Sequence, residues 1–98
     1  MRLPARQGRA DRNQAQIIEA YENLGCSVVD LHGVGFGTPD LLVGIGHTVD
    51  QLVEVKQKAG KLRGSQKQFF EAWRGRKPRV VRTVEDVIEH VNEMRGST

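Results

Sequence analysis

Two carboxylates and an amine, Asp40, Glu54 and Lys56, stand at a spacing suited to metal-assisted chemistry. Gly46, His47 and Thr48 form a turn between two runs rich in Leu, Val and Ile, so the flanking segments read as an antiparallel hairpin. A hairpin turning about His47 pairs residues equidistant from it, which sets Asp40 across from Glu54. Directly opposed residues hold their Cβ atoms about 4.5–5.5 Å apart, and like charges at that separation destabilise a sheet unless a cation lies between them. A divalent metal would resolve the conflict. Lys56 lies two residues beyond Glu54, so the alternation of a strand turns it to the same face, while Val53 and Val55 point into the core.

Two oxygen ligands beside an ammonium group suit a hard cation such as Mg²⁺, which keeps several waters and accepts phosphate oxygens. Phosphodiester hydrolysis needs a more acidic water and cancellation of charge building on the phosphate. In that chemistry Asp40 and Glu54 hold the metal, and Lys56 orients the water or neutralises the phosphate. Two amides join the candidates. Gln14 lies within the apolar arc of Ile17, Ile18, Tyr21 and Leu24, and Gln66 shares a face with Phe69, Phe70 and Trp73. Both are expected to point toward the sheet, where a buried polar group needs a partner. Satisfying backbone groups near a helix start is the plainer role for each.

The elements that must position these residues follow from periodicity. Asp11 with Gln14 resembles a capping box that opens a first helix, ended by Gly25. Cys26 to Leu31 reads as a strand, and GVGFGTP as a glycine-rich bend that delivers the chain to Asp40. Leu41 to Ile45 and Val49 to Lys56 form the hairpin strands. A basic loop leads to a second helix stopped by Gly75 and Pro78. Arg79 to Arg82 makes a fourth strand, and Thr83 with Asp86 caps a third helix whose inner face is Val84, Val87, Ile88, Val91 and Met94. The order α-β-β-β-α-β-α, with one apolar stripe per helix, describes an α/β fold: a sheet flanked by helices.

With 98 residues the chain has room for one compact domain, expected over 11–98, preceded by a flexible basic arm over 1–10. No run of about 18 apolar residues crosses a membrane and no secretory signal opens the chain, so a cytoplasmic location is expected. Cys26, the single cysteine, reads as a buried structural thiol, and His32, His47 and His90 are too scattered for a zinc site. The net charge of +3 hides three basic clusters. They are Arg2, Arg6, Arg9 and Arg12; Lys56, Lys58, Lys61, Arg63 and Lys67; and Arg74, Arg76, Lys77, Arg79 and Arg82. Such clusters can neutralise phosphates along a nucleic-acid backbone.

With TPDLLVG, then LVEVK, then Gln66 on the next helix, the chain resembles the PD-(D/E)xK nuclease superfamily. More narrowly it resembles the stand-alone virus-type replication-repair nucleases, the VRR-NUC group of phages and bacteria, over about Asp11 to Met94. The resemblance implies a restriction-endonuclease-like core, a mixed sheet of about four strands between helices. It also implies a Mg²⁺- or Mn²⁺-dependent DNA endonuclease, often a homodimer acting on branched DNA, with Holliday-junction resolution as its sharpest form. For a phage-encoded protein the location would be the bacterial host cytoplasm. Carried over by position, Asp40, Glu54, Lys56 and Gln66 are the catalytic set, and Asp40, Glu54 and the Val55 backbone carbonyl hold the metal. Related nucleases often place a glutamate on the first helix, where this chain has Gln14. The candidates for DNA contact are Arg9, Arg12, Lys58, Lys61, Arg63 and Lys67.

Other readings compete. GVGFGTPD leads into a strand where a dinucleotide fingerprint needs a helix, so no nucleotide cofactor is expected. His32 and His47 read as surface residues, and Phe36 as a packing residue ahead of a DNA wedge or dimer contact. A non-catalytic DNA-binding module of the same fold and an RNA-cutting nuclease are the functional alternatives.

Overall fold

The computed structural model describes residues 12–47 and 49–96. The expected basic arm with Arg9, the helix cap at Asp11, the Arg12 side chain and Thr48 of the turn lie outside the described residues. Seven elements follow in the expected order: α1 (Arg12–Asn23), β1 (Ser27–Asp30), β2 (Leu41–Gly46), β3 (Val49–Val55), α2 (Gly64–Ala72), β4 (Arg79–Val81) and α3 (Val84–Met94). The strands form one sheet in the order β1-β2-β3-β4. The first two pairings are antiparallel and the last is parallel. A parallel neighbour requires a crossover, and α2 is that crossover.

Alternation decides which face is buried. Leu41, Val43 and Ile45 of β2 are buried, while Leu42 and Gly44 between them are half-buried. Val28, Val53 and Val81 join the buried set from the other strands, and Ile17, Ile18, Tyr21, Val87 and Val91 close over them from α1 and α3. Burying each such aliphatic side chain contributes about 1.5–3 kcal/mol. Cys26 is buried in the same core, and burial pushes its thiol pKa up.

Two expectations about helices need correcting. The inner face of α3 is Val87, His90 and Val91, with half-buried Met94 packed against the core as expected, whereas Val84 and Ile88 are 39% and 42% exposed. His90 is fully buried because its ring is matched at both ends. Tyr21 Oη lies 2.7 Å from Nδ1, and Gln51 Oε1 lies 3.2 Å from Nε2. The second helix, α2, buries none of its residues; Phe69 and Phe70 are half-buried, and Phe69 stacks on the exposed Trp73 at 5.3 Å. No helix among the described residues is long and apolar enough to cross a membrane.

Candidate active site

The hairpin register is the foundation of the site. Leu41 pairs with Val53, Leu42 with Leu52, Val43 with Gln51 and Gly44 with Asp50, each pair symmetric about His47. Continued one step past the end of β2, this register brings Asp40 against Glu54. A bulge between Gly44 and Gly46 shifts the pairing beside the turn and leaves the active end untouched. Where the ladder stops, the Asp40 side chain takes over its hydrogen bonding: Val55 N donates to Asp40 Oδ2 at 2.9 Å. In an extended strand the amide and carbonyl of one residue point to the same side. The Val55 carbonyl therefore faces the strand that ends in Asp40.

Glu54 is only 2% exposed, and its two oxygens differ. Oε2 accepts from Gln66 Nε2 at 3.1 Å and lies 3.7 Å from Lys56 Nζ. Oε1 is buried and has no hydrogen-bond partner among the described residues. Burial and the neighbouring Asp40 carboxylate push the Glu54 pKa up to about 8, against the pull of Lys56. Burial also raises the Asp40 pKa, offset in part by the Val55 amide. Burial and mutual repulsion disfavour two negative charges on this pair, and a bound cation would relieve both costs. The unmatched Glu54 oxygen, the Asp40 carboxylate and the Val55 carbonyl form an all-oxygen donor set, which fits a hard divalent metal.

Gln66 fills both roles that its position suggests. Its Oε1 accepts from Arg63 N at 2.8 Å, capping α2, and this fixes the amide so that Nε2 faces Glu54. The glycine-rich bend packs against the same helical turn. Gly37 has φ 74°, and a Cβ there would collide with the Ser65 carbonyl and come within 3.0 Å of Gln66 N. Bend, helix start and Glu54 are thus one assembly.

Gln14 is buried, and its amide nitrogen donates to Asp30 Oδ1 at 3.1 Å. The same oxygen accepts from His32 N at 2.8 Å, which closes the turn leaving β1. Asp30 is a site-adjoining residue that the motif spacing does not reveal, although an aspartate two residues before a His-Gly pair is a turn-forming signal. Leu31 N donates to Asp40 O at 2.7 Å, so this corner adjoins the site. Lys58, Lys61, Arg63 and Lys67 are exposed along the segment that leaves Lys56 and opens α2.

No family model matches the chain, and no curated protein matches it. Among solved structures it is similar to one described as a VRR_NUC domain, with 33% sequence identity and a TM-score of 0.69. The match covers 83% of this chain and 91% of that one.

Proposed function

The chain belongs to the VRR-NUC nuclease family, and on that premise we propose that it is a metal-dependent endonuclease hydrolysing phosphodiester bonds in DNA. Its fold is restriction-endonuclease-like. The observation that carries the reading is the buried, unmatched Glu54 Oε1 beside Asp40, an arrangement that serves no packing purpose. Asp40, Glu54 and the Val55 carbonyl would hold Mg²⁺ or Mn²⁺. When bound, the ion supplies Lewis acidity, lowering the pKa of water and offsetting phosphate charge. Lys56, partly exposed beside Glu54, places a positive charge where a scissile phosphate or its attacking water would sit. Gln66 positions Glu54, and Lys58, Lys61, Arg63 and Lys67 supply phosphate contacts. Branched DNA as preferred substrate and a homodimer as working unit complete the proposal; exposed Trp73, stacked on half-buried Phe69, provides apolar surface for a second copy.

The test pairs cleavage with metal binding. Asp40→Asn and Glu54→Gln are each expected to lower cleavage of DNA by about 10²–10⁴-fold, the range for removing a positioned catalytic group, with DNA affinity retained. Calorimetric Mn²⁺ binding should vanish in the double variant. Metal-free melting temperatures should rise, because a buried carboxyl held protonated above its usual pKa is replaced by a neutral amide. Wild-type protein that binds DNA but never cuts it with any divalent metal would make the chain a binding module, and preferential cutting of matched RNA would change the substrate. Monomers at micromolar concentration in sedimentation would refute the dimer.

A further inference from the structure

Phe36 is 93% exposed, so the packing role expected for it is overturned. It is also the non-glycine residue among those described that adopts a positive φ, 59°. Thr38 N donates to Gly35 O at 3.0 Å, closing a turn whose central residues are Phe36 and Gly37, both at positive φ. Turns with that backbone favour Asn, Asp or Gly at the first central position. A phenylalanine there opposes the local backbone preference and buries nothing, so neither turn formation nor the core accounts for it.

The turn is held in place. Gly37 packs backbone to backbone on Ser65 and Gln66, and Gln66 grips Glu54. Phe36 and Asp40 are four positions apart in the chain, so their Cα atoms lie within about 14 Å. That is about four base-pair steps at 3.4 Å each. Exposed Arg63 and Lys67 sit on the start of the helix against which Gly37 packs, so positive charge flanks the anchor of the turn. We infer that Phe36 is a stacking wedge that engages a base left unstacked at a discontinuity in duplex DNA, a nick or a branch. Aromatic side chains stack on such bases, and apolar wedges insert most readily where stacking is already broken. This deepens the nuclease reading and rests on it for the identity of the ligand.

The experiment reads binding without divalent metal, so it does not depend on cleavage. Fluorescence anisotropy would compare wild type, Phe36→Asn and Phe36→Trp on four-way, nicked and intact duplexes of matched length. Wild type should prefer the discontinuous DNAs; Phe36→Asn should reduce that preference by about tenfold, in line with the loss of one base-aromatic stack, and Phe36→Trp should keep it. The melting temperature of Phe36→Asn should stay level or rise, since asparagine suits the turn. The inference is overturned by a wild type without preference, by equal weakening on every DNA, by loss of preference in Phe36→Trp, or by a lower melting temperature in Phe36→Asn. A shift in sedimentation caused by Phe36→Asn would place the ring against a second copy instead. Absence of cleavage under any metal would sink the nuclease reading and leave this ratio intact, so the two failures are separable.

Discussion

Gly37 has no side chain of its own at the site, yet it governs whether Gln66 can reach Glu54, because any Cβ at this position runs into the Ser65 carbonyl. Gly37→Ala must therefore displace the first turn of α2 and also strain a φ of 74°. We expect it to lower unfolding free energy by about 2–3 kcal/mol and to impair cleavage more than that loss explains. Gly35→Ala, strained at φ 88° but facing open space, should cost only about 1 kcal/mol. Urea unfolding and cleavage rates of the two variants check this, and similar cleavage in both would remove the link between bend and Gln66. At this scale the sequence was legible where period-two parity rules: Asp40, Glu54 and Lys56 follow from counting residues about His47. Gln66 was legible as a position but not as a bond, since its two partners, Arg63 and Glu54, combine helix capping with a tertiary contact. Asp30 was not legible, because its bond to Gln14 joins a strand end to a helix across sixteen residues, and no local repeat signals it.

The elements themselves followed from apolar spacing, with the corrections falling on faces. Ile88 and His90 differ by two positions on α3, and hydropathy favours burying the isoleucine; the fold buries the histidine because Tyr21 and Gln51 wait for it. The direction of that chain is set from its far end. Gln51 Nε2 donates to Lys77 O at 2.6 Å, so Gln51 Oε1 faces His90 Nε2, which must donate; Nδ1 of the neutral ring then accepts from Tyr21. Burial pushes the Tyr21 hydroxyl pKa far up, keeping it a donor, and lowers the His90 pKa to about 4. The unfolded chain takes this proton near pH 6.5, so stability contributed by His90 is present above that value and lost as pH falls toward 4, by at most about 3 kcal/mol. The raised Asp40 and Glu54 pKa values act with opposite sign, their contribution being lost as pH rises toward 8. The informative quantity is hence the difference between wild type and His90→Gln, whose amide can both accept from Tyr21 and donate to Gln51. That difference should change through pH 6.5 to 4 in chemical denaturation; a constant difference would mean that His90 titrates normally.

Across the whole molecule the positive charge divides into two populations that composition alone could not separate. Three members of the third basic cluster, Lys77, Arg79 and Arg82, are committed to internal bonds. Arg79 forks onto Glu93 at 2.6 and 3.1 Å, Lys77 Nζ caps the end of α2 through Phe70 O, Glu71 O and Trp73 O, and Arg82 pins the loop carbonyls of Gln57 and Gly60. Lys58, Lys61 and Arg63 instead stand exposed between Lys56 and α2, and Lys67 on the first turn of that helix. Each phosphate neutralised contributes about −0.9 to the slope of log K against log salt, so four contacts would weaken DNA binding on the order of a hundredfold between 50 and 200 mM salt. The double change Arg63→Ala with Lys67→Ala should make the slope shallower by about 2. Lys77→Met should lower the melting temperature and leave the slope alone, because that ammonium already serves three carbonyls. Equal slopes for wild type and the double variant, or a shallower slope for Lys77→Met, would show that DNA meets the other cluster and not the basic residues that lead from Lys56 into α2.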